Sequence, residues 1–101
     1  MVIYNTTIKV EAAIDTDWMR WLKTEYLPAV METGLFLSYR ICRLLETNPD
    51  EDRTYVIQYS LASQSSFQQY EGLYAETLEA LAEKRFGTRC LIFRTLMEVM
   101  D

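Results

Sequence analysis

Apolar and polar residues alternate from residue 2 to residue 10. Val2, Tyr4, Ile8 and Val10 fall on one side of an extended chain, and Ile3, Asn5, Thr7 and Lys9 on the other. The same period of two returns at residues 35–46, 54–61 and 89–99, so four strands are expected. Between the first and second strands the period lengthens to a helical one. Trp18, Leu22, Val30 and one of Trp21 or Tyr26 supply an apolar stripe, with Asp15 or Thr16 as the N-cap of a helix beginning near Asp17. Pro28 has no amide proton for the carbonyl four residues back and is expected to kink or interrupt this helix. Gly34 offers a left-handed stop. A second helix is expected from Ser63 or Ser65 to about Arg85, with Phe67, Tyr70, Tyr74, Leu78 and Leu81 as its stripe and Gly87 at its end. Asn48, Pro49 and Asp50 have turn chemistry, so the second and third strands should form a hairpin.

The order strand, helix, strand, strand, helix, strand has few compact solutions in a single domain spanning residues 1–101. Right-handed crossovers turn it into two interleaved strand–helix–strand units. The expected class is α+β, a ferredoxin-like βαββαβ sandwich whose four antiparallel strands, in the order 4-1-3-2, carry both helices on one face. The helices should take the more uniformly apolar strand positions, here Tyr4, Ile8, Leu37, Ile41, Ile57, Phe93 and Met97. The other face then carries Ile3, Phe36, Cys42, Val56, Ile92 and Leu96 among Asn5, Thr7, Arg40, Gln58 and Arg94. Such a face is too apolar to be left to water and too polar to be core. It is expected to meet a second copy of itself in a symmetric homodimer, enclosing a small cavity.

Composition removes chemistry. There is no histidine, which takes away imidazole acid–base catalysis and most transition-metal sites. Two cysteines, Cys42 and Cys90, are too few for a thiolate metal site, so neither metal nor cofactor is expected. They fall on opposite sheet edges, roughly 14 Å apart at about 4.8 Å per strand step. A disulfide needs Cα atoms within about 7 Å, and the pair is read as reduced, mostly buried thiols. A net charge of −5 and a pI near 4.7 disfavour nucleic acid as a partner. No apolar run approaches the roughly 20 residues of a membrane span, and the alternating first residues are unlike a signal peptide, so a cytoplasmic protein is expected. The acidic run from Glu46 to Asp52 lacks calcium-loop spacing and reads as a solvated turn.

Arg40 and Arg94 are the residues best suited to recognition. Each is a permanent cation on the expected open face, and a guanidinium can clamp a carboxylate bidentately. With Asn5, Thr7 and Gln58 they could form the polar end of an apolar pocket for a small anionic or carbonyl ligand. The plainer alternative pairs them with Glu46, Glu98 or their mates across the dimer. Tyr39, Tyr55, Tyr59, Tyr70 and Tyr74 could include a general acid, but read first as core with hydroxyls at the rim. RNA-recognition domains share this element order. Here the third strand has no glycine, follows the acidic Asp50 to Asp52, and turns its tyrosines toward the helices. Acylphosphatase chemistry on the same fold would need a glycine-rich anion loop that is missing after the first strand.

The opening Val2-Ile-Tyr-Asn-Thr-Thr-Ile-Lys-Val, the stretch Trp21-Leu-Lys-Thr-Glu-Tyr-Leu-Pro-Ala-Val-Met, the pair Tyr39-Arg40 followed by Arg43-Leu-Leu, and Arg85-Phe-Gly with Phe93-Arg-Thr-Leu carry a resemblance. Over nearly the whole chain they look like the small bacterial family called domain of unknown function 4286. Where that family has a histidine before the position of Leu27-Pro28, this chain has Tyr26, and no histidine role carries over. More distantly the chain is similar to the dimeric α/β-barrel superfamily of cofactor-independent monooxygenases, isomerases, haem-degrading enzymes and stress-responsive barrels. That likeness implies a ferredoxin-like homodimer and supplies no activity. Two functions follow. One is a non-catalytic homodimeric ligand-binding or structural module, favoured because the cavity candidates hold no group that titrates near neutral pH except a thiol. The other is a cofactor-independent oxygenase or isomerase, with Arg40 and Arg94 holding substrate and a tyrosine moving a proton.

Overall fold

The computed structural model describes every residue except 46, 47, 49 and 50. Four strands, β1 (Val2–Val10), β2 (Ser38–Arg43), β3 (Arg53–Leu61) and β4 (Cys90–Glu98), form one antiparallel sheet in the order β2-β3-β1-β4. Read from the other edge this is 4-1-3-2, the expected ferredoxin-like topology. The first helix, α1, runs through residues 15–32 and the second, α2, through residues 64–86. Both bury their apolar side on one face of the sheet, where Leu22, Leu27 and Val30 of α1 pack with Val10, Ile57 and Leu61. No helix among the described residues is long and apolar enough to cross a membrane.

Local chemistry explains where the elements start, bend and stop. Ser63 caps α2, its hydroxyl accepting the Ser66 amide at 3.2 Å. Asp15 does not cap α1. A 3-10 turn at Ala12–Ile14 leads into that helix, and the Asp15 carboxylate instead accepts the Tyr55 hydroxyl from β3. Pro28 leaves α1 continuous because the segment just before it, Leu22–Tyr26, is a π turn, which absorbs the hydrogen bond the proline cannot make. A second π turn, Glu71–Ala75, interrupts α2. Its wider winding rotates the stripe, so Tyr70 and Leu78 are buried while Leu73, Tyr74 and Leu81 are exposed. Gly34 and Gly87 have positive φ, +76° and +60°, which a residue without Cβ adopts freely, and they lie where the two helices end.

Two expectations fail at the sheet edges. The second strand is shorter than residues 35–46: Phe36 precedes it and turns into the core against Tyr59 and Tyr70, at ring separations of 5.0 and 4.8 Å. Leu37, expected under the helices, is exposed. The strand end at Glu46, its suggested ion pairing, and the turn at Pro49 and Asp50 lie outside the described residues. The faces of β4 are also reversed. Its register sets Ile92, Arg94 and Leu96 beside Ile8, Thr6 and Tyr4 on the helix side, and Phe93 and Met97 beside Thr7 and Ile3 on the open side. The physical reason is that the helix layer stops short of β4. Ile92 and Leu96 remain 36% and 38% exposed, and Phe93 and Met97 are 66% and 41% exposed. Hydrophobicity therefore could not mark an inner side.

Candidate functional site

On the open face, strand register aligns Arg40, Gln58, Asn5 and Thr95 in one row across all four strands. Gln58 Nε2 donates to Asn5 Oδ1 at 3.2 Å, and Asn5 Nδ2 donates to Thr7 Oγ1 at 3.5 Å. The neighbouring row is Cys42, Val56, Thr7 and Phe93. Asn5, Thr7, Arg40 and Gln58 thus share a face, with a polar line through its middle and exposed Leu91, Phe93 and Met97 along one edge. Arg94 is not with them. Its register partner is Thr6, a buried residue on the helix side, so the pairing of Arg40 with Arg94 in one cavity is corrected.

Arg94 belongs to a different pocket, enclosed between the sheet and both helices. Tyr4, Thr6 and Tyr59 come from the sheet, Trp21 and Tyr26 from α1, and Tyr70 and Glu79 from α2. The space holds about 40 Å³, enough for a few water molecules. Each π turn lies beside a pocket tyrosine: Tyr26 is the last residue of the first, and Tyr70 immediately precedes the second. Arg94 Nε approaches Glu79 Oε1 at 3.2 Å, and this ion pair stands at the mouth. The same two residues line outer clefts of about 390 and 480 Å³ to either side, so the pair forms the wall between them and the interior.

The electrostatics define what the pocket can offer. Burial pushes the Tyr4 hydroxyl up to about 12, with the Arg94 charge acting in the opposite direction. Burial also raises Tyr26, Tyr59 and Tyr70, reinforced by Glu79 for Tyr26 and by neighbouring tyrosines for the other two. All four phenols are therefore protonated at neutral pH. Tyr26 and Tyr70 lie close enough to influence each other's ionisation, as do Arg94 and Tyr4. Such a group can donate several hydrogen bonds to a carbonyl or carboxylate oxygen, but its phenols do not withdraw protons. Cys90 is likewise held as a thiol, its burial raising it to about 11. Cys42 is exposed on the open face rather than buried, and both cysteines are free on outer strands.

Sequence reasoning read the tyrosines one strand or helix at a time and missed their convergence. The signal was present: Tyr4 and Tyr59 are direct neighbours in the β1–β3 register, on the side the helices cover. Tyr26 also falls in this pocket.

Solved structures place the fold among known proteins. HapK from Hahella chejuensis is 14% identical, with a TM-score of 0.70 over 99% of this chain and 93% of its own. A dimeric ferredoxin-like protein from an uncultured marine organism is 11% identical, with a TM-score of 0.73 over 100% of this chain and 96% of its own. The haem-degrader MhuD from Mycobacterium tuberculosis, with two haems in its active site, is 20% identical, with a TM-score of 0.69 over 100% and 98%. At these identities the likeness establishes the fold alone. No curated protein matches. The family model of the domain of unknown function DUF4286 matches residues 1–100, and the chain belongs to that family.

Proposed function

We propose that the protein is a homodimeric small-molecule-binding module, with two sheets meeting across their open faces and the ligand lying in an outer cleft beside the Arg94–Glu79 mouth, only its oxygen-bearing tip entering the tyrosine-lined pocket on the helix side. The observation that carries the binding reading is the convergence of four protonated tyrosine hydroxyls and the Arg94–Glu79 pair on one enclosed space. Buried phenols that never titrate near neutral pH are recognition groups, suited to an oxygen atom of a neutral or anionic ligand. The dimer is supported by the exposed apolar edge at Leu91, Phe93 and Met97, and by fold neighbours described as dimeric ferredoxin-like proteins. In that dimer Arg40, Gln58, Asn5 and Thr7 serve the interface, where a central polar row can pair with its symmetry mate.

An enzyme reading keeps two supports. Glu79 is a carboxylate at the pocket mouth, and the fold neighbour MhuD is a haem degrader. In a cofactor-independent oxygenase or isomerase, Glu79 would take the proton and Arg94 with the tyrosines would stabilise the charge that develops. A thermal-shift screen of small oxygen-bearing compounds tests the binding reading, repeated on Tyr26→Phe and Tyr70→Phe. A compound that stabilises the wild type should lose most of its effect in both variants. Stabilisation that survives loss of both hydroxyls contradicts the pocket assignment. Turnover of the bound compound that Glu79→Gln abolishes would favour the enzyme.

A further inference from the structure

The helix layer leaves the helix side of each outer strand bordering a groove, and the two grooves carry opposite charge. Beside β4 the lining includes the carboxylates of Glu71, Glu76, Glu79 and Glu83 with Arg94 as the single cation among the described residues. Beside β2 the balance reverses. There α1 presents Met19, Arg20 and Lys23 along one side, and β2 with its continuation presents Ile41, Arg43 and Leu45 at strand spacing, over a groove of about 800 Å³. Among the described residues its lining contains one carboxylate, Asp15, and that group is occupied. It accepts the Tyr55 hydroxyl and faces Arg53 at 4.0 Å. Arg20 is shared with Asp17 at 3.7 Å. Lys23 and Arg43, on opposite walls, have no carboxylate partner among the described residues.

Two cations without a carboxylate partner among the described residues thus border one groove, together with the apolar side chains of Met19, Ile41 and Leu45, in a chain of net charge −5. Edge-strand charge alone would explain Arg43, since charged edges deter strand pairing. It does not explain Lys23 opposite, nor the apolar side chains of Met19, Ile41 and Leu45 that line the groove with them. We infer that this groove binds a small amphiphilic anion, its carboxylate held between Lys23 and Arg43 and its apolar body lying along Met19, Ile41 and Leu45. Arg43 supplies a planar fork that suits a carboxylate, and Lys23 a flexible second charge. The lining shares no residue with the tyrosine pocket. It also lies on the side of the sheet away from the proposed dimer face, so neither the pocket nor self-association has to hold for this site to exist.

Octanoate, used below its micelle-forming concentration, is a suitable probe, with octanol and octylammonium as controls of the same chain length. Titrated into isotopically labelled protein and followed by amide chemical shifts, octanoate should perturb the α1 and β2 residues of the groove. It should bind at least about tenfold more tightly than octanol, and more tightly at low salt than at high salt. Lys23→Gln and Arg43→Gln, both on exposed side chains, should each weaken it by about tenfold. Equal affinity for octanoate and octanol, preference for octylammonium, or no saturable binding overturns the inference. Octanoate shifts confined to Tyr26, Tyr70 and Arg94 also overturn it, by moving the ligand to the tyrosine pocket.

Discussion

Replacing Phe93 with glutamate is the sharpest perturbation of the proposed interface. Phe93 lies on the open side of β4 and is 66% exposed in the single chain, so its removal should leave the fold of one copy intact. Burying a whole phenylalanine side chain contributes about 1.5–3 kcal/mol. Two-thirds of that is about 1–2 kcal/mol per copy, and two-fold symmetry counts it twice. Phe93→Glu should therefore weaken the dimer by about 2–4 kcal/mol, or roughly 30-fold to 1,000-fold in Kd, before any repulsion between the new carboxylates. Leu73→Glu is the matched control: Leu73 is comparably exposed but lies on α2, away from the sheet. Sedimentation equilibrium across a concentration series reads both. The reasoning fails if Phe93→Glu leaves the association constant unchanged, and fails differently if Leu73→Glu is the variant that dissociates.

Three further outcomes test the description of the monomer. The Arg94 and Glu79 side chains are 39% and 38% exposed, so a double-mutant cycle with Arg94→Met and Glu79→Gln should give a coupling below about 1 kcal/mol; a value above about 2 kcal/mol would mean a buried pair. The raised tyrosines stabilise the fold in their neutral form, a contribution complete below pH 10 and lost as pH rises through the folded values, so urea midpoints should hold to about pH 10 and fall by pH 12. A midpoint flat to pH 12 would contradict the buried-phenol assignment. Gly87→Ala forces a side chain onto a backbone at φ +60°, ψ −134°, and should cost about 1–3 kcal/mol in chemical denaturation, whereas a neutral result would mean the α2 terminus relaxes freely.

The fold was legible because strand and helix periods are local properties, and their order leaves one compact topology. The middle of the sheet was legible for a related reason. β1 and β3 are covered on one side only, so Tyr4, Ile8, Ile57 and Tyr59 alternate cleanly with polar neighbours. β4 was not legible, because neither of its sides is core and its apolar residues occupy both. Phe36 was misplaced because it lies just outside β2, where strand alternation no longer governs its direction. The π turns were hidden because i→i+5 bonding leaves no clear mark on residue spacing, and each shifts the helix face beyond it. Those two turns lie beside Tyr26 and Tyr70, so the pocket was obscured at the positions where local rules fail.

Whether the open face is where two copies meet can be read in solution from isotope-filtered nuclear Overhauser spectra of a mixed sample, one copy labelled and the other not. Contacts between copies should run from Leu91, Phe93 and Met97 of β4 and from Ile3 and Val56 of the central strands, with Arg40 and Gln58 side chains nearby. Contacts between copies arising instead from Leu73, Tyr74 and Leu81 on α2, or a spectrum with none at concentrations where the protein sediments as a dimer, would contradict a dimer built on the open sheet face.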